Sequence, residues 1–185
     1  GGVAFSKLRT KGFDGNQLFD KSVVPFQMAV GLEYLDRGTF NLSSSIGYLR
    51  SGGKNDVVFN PVTGENASTF NYKYFMNTLF NIKRSVRRET YYIGVGPRLD
   101  FKIGSKETEF EGVEYINGQK PEMNAVVFGL KCEAGFWYAL DDRFRLGANV
   151  SYLPSFTKAW TSPVAPDVTM SARSFTLGIS FGYVL

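Results

Sequence analysis

Three carboxylates, Glu33, Asp100 and Glu133, are the side chains of this 185-residue sequence that could be combined into an acid–base site. The sequence contains no histidine. This absence removes the histidine-dependent catalytic triads that many hydrolases use, and it removes the commonest protein ligand of zinc. A protease site built from Asp and Glu alone is not excluded by the missing histidine.

Three cations, Arg98, Lys131 and Arg145, share a strand face with these acids in the strand assignment given below. Charges in a low-dielectric interior are retained when they are paired. We therefore predict internal salt bridges that plug the lumen of a barrel, and no catalytic, cofactor-binding or metal-binding residue. The predicted lumen charge network comprises Glu33, Arg98, Asp100, Lys131, Glu133 and Arg145.

Several other motifs are short of a complete site pattern. The acidic run at residues 107–114 lacks the D-x-[DN]-x-[DN]-G pattern of a calcium loop, so a solvated loop is favoured. Gly94-Val95-Gly96 is followed by no predicted helix, and it is interpreted as strand lining rather than as a nucleotide loop. Asn66-Ala67-Ser68 matches a glycosylation acceptor, a match that is usually coincidental. Cys132 is the only cysteine, so an intrachain disulfide is impossible.

The basic residues give little support to nucleic-acid binding. The net charge is +4 and the pI about 9.1, and Lys and Arg are scattered along the sequence. The densest cluster comprises Lys83, Arg84, Arg87 and Arg88, and it falls where a turn is expected. A solvated turn is favoured there over a phosphate-binding patch.

Alternation of apolar and polar residues is the main structural signal, and FNYKYFMNTLFNIK at residues 70–83 shows it most clearly. Period two is typical of a β-strand with two unlike faces. The same period predicts eight strands, at about residues 2–8, 23–35, 39–50, 69–83, 89–103, 124–140, 143–157 and 171–185. Long polar connections alternate with short ones, which predicts an eight-stranded antiparallel up-and-down barrel formed by a single domain, residues 1–185.

The volume of the apolar face decides which face meets water. This face holds about forty large side chains, whereas a closed eight-stranded barrel is filled by roughly a dozen. The opposite face is rich in Gly, Ser, Ala and Asn, which suit a narrow lumen. Aromatic residues are enriched toward the ends of the apolar stripes, as in the interfacial girdles of a transmembrane barrel. They are Tyr34, Phe40, Tyr48, Tyr91, Phe101, Tyr138, Phe144, Phe156, Phe175 and Tyr183.

With this rhythm, and with the ending SFTLGISFGYVL, the sequence resembles the small outer-membrane β-barrels of Gram-negative bacteria, of the OmpA and OmpX type, in the porin-like outer-membrane protein β-barrel domain family. The resemblance implies a C-terminal insertion signal read by the outer-membrane insertion machinery, formed by Phe181, Tyr183 and Leu185. Leu185 departs from the terminal Phe or Trp that the family prefers. The opening GGVAFSKL looks like the strand that closes the barrel against the last one.

The resemblance further implies an exported protein of the bacterial outer membrane, in contact with lipid and lipopolysaccharide. The sequence opens without the basic and apolar segments of a signal peptide, so either such a peptide was removed or the protein is not exported, and the resemblance implies removal. We predict a non-enzymatic function that is structural, or that uses four long loops to bind an external ligand, with loop aromatics such as Phe13, Phe59, Tyr115 and Trp160. No cofactor and no nucleic acid is expected.

Three alternatives remain open at this stage. The first is a soluble lipocalin-like barrel with its apolar face turned inward around a hydrophobic ligand. The second is a narrow porin-like channel, although eight strands leave little room for water. An outer-membrane enzyme is the third.

Overall fold

The computed structural model describes residues 1–11, 22–59, 66–107, 124–158, 160–161 and 169–184. Side chains are described within residues 1–6, 22–53, 71–104, 124–158 and 171–184. The described strands are β1 (Gly2–Lys11), β2 (Phe26–Tyr34), β3 (Phe40–Phe59), β4 (Asn66–Val86), β5 (Glu89–Glu107), β6 (Val126–Ala139), β7 (Phe144–Pro154), β8 (Trp160–Thr161) and β9 (Thr169–Tyr183).

The strands form one closed antiparallel sheet. From β1 to β7, each strand pairs with the next strand in the sequence, and β7 then pairs with β9. The ring is closed by β9 and β1, which pair from Gly2–Gly178 to Lys11–Thr169. The two residues of β8 pair only with the loop end of β9. The wall therefore consists of eight long strands, and the predicted eight-stranded antiparallel up-and-down barrel is confirmed.

The described residues contain no helix that is long and apolar enough to cross a membrane.

Most of the large apolar side chains of the described residues lie on the outside of the barrel, along each of the eight long strands. Val30 is 78% exposed, Ile93 71% and Phe181 67%, although all three are in regular strands. Alternate residues on the same strands point inward, and Asn71, Asn77 and Asn81 of β4 are buried. The outward orientation of the apolar face is the opposite of what a soluble lipocalin-like carrier needs.

Inward-facing glycines make room for large side chains of neighbouring strands. A Cβ added to Gly135 would lie 2.7 Å from the hydroxyl of Tyr92, and one added to Gly147 would lie 2.7 Å from the ring of Trp137. The same arrangement recurs where Phe75 lies against Gly47, Asn81 against Gly94, Arg98 against Gly129 and Asn149 against Gly178. Inside the barrel, bulky residues on one strand therefore face glycines on the next.

The predicted strand ends were wrong mainly at the loop end of β3, β4 and β5. The stretch from Ser51 to Ser68 was expected to be a loop, but β3 continues to Phe59 and β4 begins at Asn66. The polar and Gly-rich composition of this stretch is typical of a loop. In the structure, backbone pairing of β3 with β4 continues through Lys54–Ser68 and, after an irregularity, Phe59–Asn66.

Several predicted features lie outside the described residues. These are the loop residues Phe13 and Tyr115, most of the acidic run at 107–114, and Leu185 of the predicted insertion signal. The backbones of Phe59, Asn66 and Trp160 lie in strands, but their side chains are outside the described part.

Candidate functional site

Glu133 is the centre of the largest polar cluster in the lumen. It lies in the middle of β6, is 9% exposed, and points inward because its neighbours Cys132 and Ala134 have the opposite parity. Its carboxylate accepts hydrogen bonds from Tyr92 (3.0 Å), Asn149 (2.8 Å) and Ser151 (2.8 Å) and pairs with the Lys131 ammonium at 2.7 Å. Both carboxylate oxygens are thus engaged by protein side chains.

Arg98 and Asp100 form a second cluster, on β5 toward the loop end. The guanidinium donates two hydrogen bonds to the carboxylate, at 2.7 Å and 3.0 Å, in the bidentate geometry that makes such pairs strong. Arg98 also reaches the Ser155 hydroxyl at 3.3 Å. Lys73 of β4 lies 3.9 Å from Asp100, and its side chain is 5% exposed. The cluster joins two cations to one carboxylate.

A third cluster lies at the turn end of the lumen. Arg145 of β7 is 3.7 Å from Glu33 of β2, a contact that crosses the lumen because the two strands are not neighbours. Glu33 also accepts a hydrogen bond from Asn41 at 3.1 Å. The Arg145 guanidinium lies 5.6 Å from the ring centre of Trp137, within the range of a cation–π contact. The side chains of Trp137, Arg145 and Glu33 thus lie in contact at the turn end of the lumen.

Apolar side chains share the lumen with the charges. Ala4, Leu49, Phe75 and Leu153 form a buried cluster, and Leu79 and Val127 also point inward and are buried. The sequence had suggested a lumen lined by small and polar residues. The difference arises because Phe75 faces Gly47, which leaves room for one large ring.

The six residues of the predicted charge network all lie in the lumen, in three separate pairs. Arg98–Asp100 and Lys131–Glu133 each join residues two apart on one strand, and Arg145–Glu33 joins two distant strands. No salt bridge among the described residues links one pair to another. Among the salt bridges of the described residues, the one between strands that are not neighbours is Arg145–Glu33.

Sequence reasoning missed several members of these clusters. Tyr92 lies two residues from Gly94, and Trp137 two residues from Gly135, so each shares the inward face of its glycine. Period two could therefore have revealed their inward direction. Both were missed because they adjoin aromatic residues of the outer face: Tyr92 follows Tyr91, and Trp137 lies between Phe136 and Tyr138. Lys73 was on the predicted polar face, but its contact with Asp100 depends on the register of β4 with β5, which the sequence does not reveal.

A charged pair outside the lumen links two turns. Asp36, in the β2–β3 turn, accepts a hydrogen bond from the Lys83 ammonium at the turn end of β4 and another from the backbone N–H of Gly38 at 2.9 Å. These contacts, first the bond from Lys83, hold the pKa of Asp36 below its usual value. The Asp36 side chain is nevertheless 61% exposed, whereas that of Lys83 is 11% exposed, so the acid faces solvent and the cation is mostly covered.

No protein-family model and no curated protein matches the chain. Two solved structures of Ail, the attachment invasion locus protein of Yersinia pestis, are similar to it. One, in complex with the heparin analogue sucrose octasulfate, is 18% identical, with a TM-score of 0.43 and coverage of 98% of this chain and 93% of that chain. The other is 14% identical, with a TM-score of 0.35 and the same coverage.

Proposed function

We propose that this chain is a non-enzymatic, membrane-spanning barrel of a bacterial outer membrane, whose loop end contacts partners outside the cell. The single observation that carries the proposal is the outward apolar belt. Exposed Ile, Val, Leu or Phe on each of the eight long strands would be unfavourable in water, because removing apolar surface from water stabilises a protein by about 25 cal/mol per Å². Lipid is the solvent that suits this belt, and the resemblance to OmpA-type and OmpX-type barrels supports the outer membrane.

The aromatic residues near the strand ends support the same orientation. Phe144 stacks with Phe181 at 5.5 Å near the turn end, and Tyr48 stacks with Tyr72 at 6.4 Å near the loop end. Amphipathic rings at both boundaries are typical of the headgroup level of a membrane.

Strand length supports a role for the loop end. A tilted strand needs about 9–11 residues to cross a bilayer. β2 and β7 have 9 and 11 residues, whereas β3, β4 and β5 have 20, 21 and 19. Beyond Leu49 of β3 and Phe101 of β5, these strands have no ladder partner in β2 or β6. We call residues 50–59, 66–72 and 102–107 the β3–β5 extension, and we infer that it projects beyond the lipid as a contact surface.

The lumen clusters support a closed barrel. Glu133 and its four partners fill the middle, and the Trp137–Arg145–Glu33 stack obstructs the turn end. The expected behaviour in a planar bilayer is little or no steady conductance. A stable open state of large conductance would contradict the closed lumen while leaving the membrane location intact.

The membrane location itself is tested at the native thiol. Cys132 lies on the outer face near the middle of β6, opposite Val95 on one side and Tyr152 on the other. A fluorophore attached to Cys132 in denaturant, before refolding into bilayers, should be quenched strongly by lipids brominated deep in the acyl chains. It should be quenched weakly by a water-soluble quencher. The reverse order would show that position 132 is not in lipid.

The contact role is tested by trimming. Limited proteolysis of the long connections in the refolded protein should remove binding to an external partner, such as a phage or a host surface, and should leave the barrel resistant to heat in detergent. Collapse of the barrel on trimming would show that the connections are structural instead.

A further inference from the structure

The short turns bring five arginines to one rim of the barrel. Arg37 is in the β2–β3 turn, Arg84 and the pair Arg87–Arg88 are at the β4–β5 turn, and Arg143 is in the β6–β7 turn. The turns touch: Lys83 N–H bonds to the Thr39 carbonyl at 2.8 Å, and Ala139 N–H bonds to the Arg88 carbonyl at 2.8 Å. All five arginine side chains are exposed. We call this set the arginine rim.

The acidic residues of the same turns are mostly committed to other contacts. Asp36 binds Lys83, and Glu89 accepts a hydrogen bond from the Tyr91 hydroxyl. Asp141 accepts two backbone N–H bonds at 2.7 Å, from Arg143 and Phe144, and thereby shapes its own turn. Asp142 is an exposed acid without such a contact among the described residues. The salt bridges of the described part include none of the five arginines, so the rim keeps an excess of positive charge.

The rim is continuous with the lipid-facing belt. Arg84 is paired with Tyr91 across the β4–β5 ladder. It lies two residues after Ile82, which is 63% exposed, and therefore shares the outer face of β4. Tyr138, Phe144 and Tyr183 are at the same end of β6, β7 and β9. Because interfacial aromatics lie at headgroup level, the guanidinium groups just beyond them are at the height of lipid phosphates.

The backbone of the β4–β5 turn favours a residue other than arginine at one position. Arg87 has a φ of 57°, in the left-handed region where Gly or Asn is preferred in a tight hairpin. A strained conformation that keeps a long cationic side chain is a reason to look for a function of that side chain.

We propose that the arginine rim binds the phosphate groups of anionic phospholipids, of the phosphatidylglycerol class, in the leaflet that meets the turns. The inference rests on the proposed membrane location. Guanidinium groups suit this ligand because their fork of donors matches phosphate oxygens. A basic cluster next to a membrane gains from each cation, and the gain falls with salt.

The test uses the full chain refolded into phosphatidylcholine vesicles that contain trace spin-labelled lipid. The measured quantity is the fraction of spin-labelled phosphatidylglycerol held at the protein surface, relative to spin-labelled phosphatidylcholine. Wild type should favour the anionic lipid at least about threefold at low salt. The triple variant Arg84→Gln, Arg87→Gln, Arg88→Gln should lose most of that preference, and the matched triple Lys variant, which keeps the charge but not the guanidinium fork, should retain an intermediate preference.

Two further variants separate the rim from other causes. Lys158→Gln removes an exposed cation at the loop end and should leave most of the preference in place, whereas the single variant Arg88→Gln should reduce it without risk to folding. Equal association of both lipids with inserted wild type, or a preference unchanged by the triple Gln variant, would overturn the proposal. Insertion is measured separately by heat-modifiable migration, so that failure to insert counts against the membrane location itself.

Discussion

The outer face and the lumen are built from alternate residues of the same strands, yet they are stabilised in different ways. On β4, Tyr74, Met76 and Ile82 are about half exposed, whereas Asn77 and Asn81 between them are nearly completely buried. The outer residues require an apolar solvent such as lipid, and no specific partner. The inner residues need specific partners: Asn77 bonds to Ser45 at 2.8 Å and Asn81 to Ser43 at 2.9 Å. Substitutions inside should therefore depend on chemistry and shape, and substitutions outside on polarity and depth.

Loss of the central carboxylate should have the largest effect. Glu133→Gln would leave the Lys131 ammonium without its counter-charge, 2.7 Å away in the wild type, in a largely buried position. Breaking a buried pair in this way typically costs about 3–5 kcal/mol. The free energy of unfolding in urea, measured for barrels folded in bilayers, reports the change.

The matched controls are Glu33→Gln and the double replacement Lys131→Met, Glu133→Gln, which removes both charges and keeps an acceptor for the Tyr92, Asn149 and Ser151 donors. Glu33 has the same charge, but its side chain is 31% exposed, so its loss should cost less. The double variant removes both charges and should recover much of the stability. If Glu133→Gln and Glu33→Gln had equal effects, burial would not be what distinguishes the two sites.

The outer face can be tested at the residue next to Glu133. Cys132→Arg places a cation on the apolar belt, and in a bilayer this should cost about 2–4 kcal/mol near the midplane. The conservative Cys132→Ser should cost much less. The same unfolding measurement applies, and an Arg at position 132 that leaves stability unchanged would argue that the belt faces water.

Much of this two-faced arrangement could be predicted from the sequence, because period two assigns a face to each residue without knowledge of register. The outward direction of Phe128 and Phe136 and the inward direction of Lys131 and Glu133 follow from it. Pairing within one strand was accessible for the same reason, since residues two apart share a face.

Contacts between strands were not accessible. The approach of Lys73 to Asp100, and of Arg145 to Glu33, depends on the stagger of the strands around the ring. The loop-end extension of β3, β4 and β5 was missed because its Gly, Asn and Asp residues are typical of turns, and ladder pairing overrides local preference there. The arginine rim combines three turns that are far apart in sequence, so only the closed barrel reveals it.

Glycine substitutions compare the tolerance of two neighbouring lumen positions. A Cβ on Gly96 would lie 1.8 Å from the Thr78 backbone carbonyl oxygen, whereas a Cβ on Gly94 would meet the side-chain oxygen of Asn81 at 2.0 Å. The Asn81 side chain can rotate away, but the backbone of β4 cannot move without opening the ladder. Gly96→Ala should therefore cost about 1–3 kcal/mol, and Gly94→Ala distinctly less. Equal costs in urea titration would show that the close backbone approach at Gly96 is relieved elsewhere.

The smallest expected effect is at the Asp36–Lys83 pair of the turn end, where the Asp36 side chain is 61% exposed. The pKa of Asp36 is lowered from its ordinary value of 3.8, chiefly by the bond from Lys83. A carboxylate with a lowered folded-state pKa stabilises the fold above its unfolded-state pKa, and this contribution is lost as the pH falls through the lowered value. Because Asp36 is largely exposed, the contribution should be below about 1 kcal/mol.

Asp36→Asn should therefore reduce stability slightly at neutral pH and have no effect once wild-type Asp36 is protonated. Lys83→Met and the double variant Asp36→Asn, Lys83→Met complete a double-mutant cycle, which isolates the interaction energy between the two side chains. A deficit of Asp36→Asn that persists in acid would assign the effect to the turn hydrogen bond at Gly38 rather than to charge.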